Sequence, residues 1–219
     1  MKIALSQSPF SQSTTHSGDN FDLIGWDQDS KDWPKPGRDQ AVHQLRKAFA
    51  PHLSGDQHLG LSLKHDVDEY NDAVYSFAAP SMLNIFPRIW DPLNQSDGRG
   101  DREINPLGQY TDKHNNLLTV LAVANPEVYY QTFEPADKPS KNDLGIGYGI
   151  VRVNTRDRQY SFEAWPADIN PLDAQARPYE NWPVTFEQED NDGRVPEGFF
   201  TTAYCSRCRA CCTSIPRTQ

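Results

Sequence analysis

Basic residues are scarce in this chain. Lys and Arg total 21 against 30 Asp and Glu, giving a formal net charge of -9 and a pI of about 5.1. That argues against nucleic-acid binding, whose affinity rests on a basic surface that displaces counterions from phosphates. Long apolar runs are missing as well. The longest largely apolar stretch, Leu117 to Ala124, falls far short of the ~20 residues a membrane-spanning helix needs. The start, Met1-Lys2-Ile3-Ala4-Leu5, has one basic residue and no extended apolar segment, so it does not read as a signal peptide. As written, the chain is expected to stay in the cytoplasm. Apolar residues make up only 37% of the 219, and the mean hydropathy is -0.74. Both values are low for a packed domain, whose apolar share is about 45–50%. Seventeen prolines point to many loops, yet ten Phe, nine Tyr and five Trp supply large side chains to bury, which argues against disorder. No internal repeat is visible. The length suits one large domain, or a domain plus a piece.

Along the chain, Met1–Leu5 reads as a short buried strand and Ser6–Pro36 as an irregular stretch rich in Ser, Asp, Pro and Trp. Pro36-Gly37 leads into a helix from about Arg38 to Ala50. Its apolar positions Ala41, Val42, Leu45, Ala48 and Phe49 recur at three-to-four spacing, and Pro51 stops it. The pattern then turns to strands. Ala73–Ala78 is closed by Pro80, and Leu117–Ala124 reads as a strand buried on both faces. Ile146–Val153 and Arg158–Trp165 flank the turn Asn154-Thr155-Arg156-Asp157 as a β-hairpin, and Val184–Glu187 is one more short strand. Asp91–Asp101 is a polar loop.

The sharpest chemical signal is Leu53-Ser54-Gly55-Asp56-Gln57-His58-Leu59-Gly60. If this segment is extended, alternate residues point the same way and Asp56 and His58 aim at one point. Gly55 would allow close backbone approach, and Gly60 would let the chain leave. A carboxylate and an imidazole converging at a strand end suit a divalent or trivalent metal; the plainer reading is a turn aspartate beside a surface histidine.

Several ordered segments together resemble a known family. Ser6-Gln7-Ser8-Pro9-Phe10, Asp29-Ser30-Lys31-Asp32-Trp33, Gly37-Arg38 at the helix start and Leu53–His58 look like the PhoD-type metallophosphatases, the alkaline phosphatase D-like enzymes. Tyr75-Ser76-Phe77-Ala78-Ala79-Pro80-Ser81 resembles the family's strand and following Pro-Ser. Tyr148–Arg152 and Glu163-Ala164-Trp165-Pro166 resemble its closing hairpin.

The resemblance spans roughly Met1 to Arg194 and matches the second half of that family's catalytic domain. It implies an α/β (α+β) fold: the C-terminal half of a metallophosphatase-type two-layer β-sandwich flanked by helices, β-rich with long loops. It implies hydrolysis of phosphate esters, acting on mono- or diesters through a metal-bound hydroxide. Asp56 and His58 would be both catalytic residues and metal ligands, with iron and calcium as the metals. The family's early ligands, on Asp-x-His or Gly-Asp-x-x-Asp segments and an Asn-bearing loop, have no match here. Ser17-Gly18-Asp19-Asn20 reads as a turn. The expected partners are therefore a phosphate-ester substrate and the missing N-terminal half of the domain. Full-length relatives are exported to the periplasm or outside the cell.

Arg38 either reaches a phosphate from the helix N-terminus or is an exposed arginine opposite the apolar face. Asn84 is placed in the substrate cleft by position alone. His52 and His65 bracket the Asp56–His58 loop and could support it from behind; for them, as for His16, His43 and His114, the plainer reading is a surface or hydrogen-bonded core histidine. Asp66, Asp68, Glu69 and Asp72 fit no calcium loop and read as a solvated acidic face.

Residues 201–219 break with the rest: four cysteines, three arginines and no acid. Domain boundaries are thus expected at 1–200 for the metallophosphatase part and 201–219 for the tail. Cys205, Cys208, Cys211 and Cys212 form C-x-x-C-x-x-C-C, which reads as non-native sequence or, alternatively, as a zinc site. Two rivals to the phosphatase reading stay open: an inactive fragment or binding module of the same fold, and a zinc-binding tail module.

Overall fold

A computed structural model describes residues 1–18, 21–24, 30–72, 74–82, 88–98, 105–127 and 144–191. Its largest element is a six-stranded sheet. The strands are β1 (Ala4–Leu5), β4 (His52–Ser54), β6 (Tyr75–Ala78), β5 (Gly60–His65), β9 (Leu117–Ala124) and β8 (Gly108–Thr111), in that spatial order. β1, β4 and β6 run parallel, and every other pairing in the sheet is antiparallel. A three-stranded antiparallel sheet of β10 (Gly147–Asn154), β11 (Gln159–Pro166) and β12 (Val184–Glu187) packs against it. A small third sheet joins β3 (Asp22–Leu23), β2 (His16–Ser17) and β7 (Arg88–Ile89). With one helix, α1 (Lys35–Ala48), and long loops, the described residues form a β-rich α+β fold.

Strand β9, between β5 and β8, is buried along most of its length, as its apolar run demands. It pairs Val120 with Leu63 but Ala122 with Ser62, so Leu121 is an extra residue. Such a bulge switches the alternation of side chains. Leu118 and Val120 before it, and Val123 after it, therefore all join the cluster of Leu59, Leu61, Leu63, Ala78 and Trp90. Across the other layer, Phe77 and Ala122 meet Tyr160, Phe162, Ala164, Trp182 and Phe186. Phe77 stacks on Phe162 at 5.3 Å between ring centres, and Tyr75 on Phe186 at 3.9 Å.

α1 begins a turn earlier than the periodicity suggests. The amides of Gly37 and Arg38 both reach the Pro34 carbonyl, at 3.0 and 3.1 Å, so the chain is already turning there. Pro36 in the first turn fits, since its missing N–H would have no helical partner. The left-handed Phe49 ends the helix, with its amide on Arg46 and that of Ala50 on Leu45. Val42 is the fully buried apolar residue of the helix face, packed on Val74 with Phe10, Leu45 and Val67. The 146–165 hairpin and the 184–187 strand form where expected. The 6–36 stretch, expected to be irregular, contributes β2 and β3, and β5, β7 and β8 are further strands beyond those expected.

Candidate functional site at the carboxyl ends of the parallel strands

In open sheets, ligands gather beyond the carboxyl ends of parallel strands. Here three such ends lie side by side. Ser6 follows β1, Gly55–His58 follows β4, and Ala79–Ser81 follows β6. Backbone bonds lace them together: Ser6 N–H to Leu53 O (3.1 Å), Gly55 N–H to Gln7 O (3.0 Å) and Ala79 N–H to Ser54 O (3.3 Å). Asp56 and His58 are therefore placed at this edge.

Their local conformation is not the extended one assumed from sequence. Asp56 has φ 63° and His58 φ 53°, both left-handed, so strand-like alternation does not aim them. Gln57 between them is turned inward, 1% exposed, and accepts the Ser13 hydroxyl at 3.2 Å. Asp56 stays exposed and takes the Gln7 side-chain amide at 3.3 Å. The tight glycine is Gly60 rather than Gly55. A Cβ on Gly60 would sit 2.7 Å from Pro80 Cγ, whereas one on Gly55 would meet only Gln7 O at 4.0 Å. Within this segment Ser54 Oγ and Gln57 Nε2 are buried with no hydrogen-bond partner, so the loop is built with unfilled polar valences.

Behind the edge lies a polar network. His52 and His65 are both fully buried, with His65 Nε2 3.3 Å from His52 Nδ1. Ser6 Oγ stands 2.7 Å from His52 Nε2, Ser76 Oγ 3.0 Å from His52 Nδ1, and Ser11 Oγ 2.9 Å from His65 Nδ1. The Phe10 ring packs 4.7 Å from that of His52. Burial, and next the nearby Lys31 cation, push His52 down to about 4. Burial, then His52 and Arg38, hold His65 well below the ordinary imidazole range. Both rings are neutral at physiological pH.

Arg38 belongs to this network and is not an exposed arginine. It is 2% exposed and donates to the carbonyls of Phe10 (2.9 Å), Asp66 (2.5 Å) and Leu117 (3.3 Å), to Ser11 Oγ (3.3 Å) and to Asp39 (3.0 Å). Its guanidinium joins α1, the Phe10–Ser11 loop and the ends of β5 and β9. The expectation of a solvated acidic face after the loop is also corrected. Asp66 and Asp72 are buried, while Asp68 and Glu69 are exposed. Asp72 accepts the amides of Val67, Asp68 and Glu69 and pairs with Arg46 at 2.6 Å, closing a turn. Asp66 is raised to about 6, chiefly by burial, with Thr119 donating to it.

A second polar cluster flanks the start of α1. Asp32, 2% exposed, faces His114 Nε2 at 3.4 Å, and the exposed Trp33 ring lies 5.2 Å from the His114 ring. Burial, then Asp112, raise Asp32 to about 6. Asn84 and Cys205, Cys208, Cys211 and Cys212 lie outside the described residues, as does the whole 201–219 tail.

The donors at the edge, one carboxylate and one imidazole, are of the type that iron takes. Among the described residues, however, no group of three or more His, Cys, Asp or Glu side chains could hold a metal ion. Asp56 and His58 thus make an incomplete set of metal ligands. No helix among the described residues is long and apolar enough to cross a membrane. Comparison with known proteins finds no matching family model, no matching curated protein and no matching solved structure.

Proposed function

We propose that this chain is part of a metal-dependent phosphoester hydrolase, with Asp56 and His58 supplying two of the metal ligands. The observation that carries this reading is the placing of the Gly55–His58 loop. It leaves a parallel strand, is tied to the Gln7 carbonyl, and keeps the Asp56 carboxylate in solvent while Gln57 is turned inward. A metal bound there would polarise a phosphoryl oxygen and provide hydroxide near neutral pH. The chain's own part is to present carboxylate and imidazole from one short loop and to hold that loop through Gln7 and Ser13. Further ligands come, on this reading, from segments of Asp-x-His and Gly-Asp-x-x-Asp type elsewhere in the full-length protein. That protein would be exported, and its substrate is a phosphate mono- or diester.

The test is hydrolysis of p-nitrophenyl phosphate and bis(p-nitrophenyl) phosphate by the full-length protein, with bound metals measured. Activity should vanish on chelation. Asp56→Asn or His58→Ala should each lower kcat by orders of magnitude and release metal. Undiminished rates in both variants would sink the ligand assignment, and a full-length protein with neither metal nor activity would leave a binding module of the same fold.

A further inference from the structure

β1 ends one side of the six-stranded sheet, and β10 ends one side of the three-stranded sheet. These two edges meet. The Tyr160 hydroxyl of β11 bonds both the amide and the carbonyl of Lys2, and Val153 of β10 lies in register with Tyr160. The Ala4 N–H reaches Pro51 O and the Ser6 N–H reaches Leu53 O, so both residues turn their backbone groups toward β4. Backbone groups of a paired strand alternate between its two sides, which points the N–H and C=O of Ile3 and Leu5 outward. Nothing among the described residues bonds them.

Proteins ordinarily blunt such an edge with a proline, a bulge or a covering loop. β1 has neither proline nor bulge, and it presents apolar side chains instead: Leu5 is 78% exposed and Ile3 37%. Leu5 lies in register with Leu53 and so shares its face of the sheet, the face on which Leu53 and Val151 pack against the ring cluster. Val153, further along β10, is 40% exposed.

In a chain of net charge -9, this edge is basic. Lys2, Arg156 and Arg158 are exposed, and among the described residues none of them has a carboxylate partner. Burial pushes the Tyr160 hydroxyl up, while the Lys2 backbone and then the Arg158 cation pull it back, which puts Arg158 within electrostatic reach of the edge. The acids of the same hairpin and its neighbour, Asp157 and Glu187, accept the side-chain amides of Asn154 and Gln159.

We propose that this edge takes up an extended segment of another protein, apolar at its centre and acidic at its ends, as a further strand beside β1. Its main chain pairs with Ile3 and Leu5, its apolar side chains cover Leu5 and Val153, and its carboxylates meet Lys2, Arg156 and Arg158. Strand addition takes affinity from the main-chain bonds and specificity from the side chains on either side. The proposal is independent of the phosphoester reading.

The experiment measures fluorescence anisotropy of a labelled peptide, Glu-Glu-Val-Thr-Val-Thr-Val-Glu-Glu, titrated with the chain. Two control peptides carry Lys in place of Glu, or N-methyl groups on the five central amides; each should bind at least about tenfold more weakly. Hydrogen exchange should slow at Ile3 and Leu5 when the first peptide is bound. Lys2→Gln/Arg156→Gln/Arg158→Gln should weaken that peptide about tenfold. No binding, equal binding of either control, or protection at another strand would each overturn the proposal, and the control peptides give their answer with the protein unaltered. A dimer in sedimentation velocity that the peptide dissociates would make a second copy the occupant. Binding by this chain but not by the full-length protein would show the edge filled from within. Either result would overturn the assignment to another protein.

Discussion

Between the six-stranded sheet and β10–β12 the interior is made largely of rings, whereas around His52 and His65, behind the strand-end loops, it is made of hydroxyls, imidazoles and the Arg38 guanidinium. The first region stacks Phe77, Tyr160, Phe162, Trp182 and Phe186. The second buries Ser8, Ser11, Gln12, Ser13, Thr14, His52, His65 and Arg38, none above 3% exposure. Apolar burial is less directional than hydrogen bonding, so that layer should accept substitutes of similar volume better than the polar one does. Hydrogen bonds to buried groups are directional, and a lost partner leaves its mate unsatisfied. The layer of rings therefore holds the sandwich together, and the polar layer fixes where the strand-end loops sit.

The sharpest way to test this contrast is to keep shape and remove donors. Arg38→Met retains most of the side-chain length but strips three carbonyls and Ser11 of their partner. It should destabilise the protein by about 3–5 kcal/mol in urea unfolding. The matching change in the ring layer, Phe162→Leu, should cost only about 1 kcal/mol. Equal losses would erase the distinction between the two regions.

Acid should expose a difference of sign within the polar layer. The buried imidazoles titrate below 6.5 in the folded chain, so unfolding takes up protons. The His52 contribution is complete above about pH 6.5 and is lost as pH falls toward about 4, and that of His65 is lost in the same direction. Asp66 and Asp32 behave oppositely. Raised to about 6, they are unfavourable when ionised, and stability is recovered as pH falls from about 6 toward 3.8. In the wild type the two trends oppose each other. Asp66→Asn removes part of the offset, so its Tm should fall more steeply than wild type between pH 6.5 and 4 in calorimetry. Parallel curves would show that Asp66 does not titrate in that window. The smallest effect should come from Gln7→Ala, which removes an exposed 3.3 Å bond to Asp56. It should lower stability by about 0.5 kcal/mol or less while raising hydrogen exchange at Gly55 and Asp56.

The elements with their own period were legible in the sequence. β9 and β12 fall on the expected residues, and the hairpin within one or two, because alternation or an unbroken apolar run marks them. β2, β3 and β7 span two residues each and carry no period to read. β5 does alternate through Leu61 and Leu63, a signal overshadowed by the Asp-x-His segment just before it. Site residues were harder. Asp56 and His58 could be singled out by type, but their left-handed backbone depends on how β4 turns into β5 around the buried Gln57. The burial of Arg38 comes from carbonyls brought together by three distant segments. The pairing of His52 with His65, thirteen residues apart, comes from the sheet order that places β6 between β4 and β5.

The Tyr160 contact with Lys2 has a kinetic consequence. The Tyr160 hydroxyl donates to the Lys2 carbonyl at 2.7 Å and accepts the Lys2 amide at 3.2 Å, across 158 residues of sequence. Closing so long a loop is entropically unfavourable, and such contacts form after local ones have shortened the effective chain. β1 should therefore dock last. In pulse-labelled refolding, the amides of Ala4 and Ser6 would gain protection after those of β9 and the β10–β11 hairpin, making the strand that leads into Ser6 the final piece of the strand-end site to assemble.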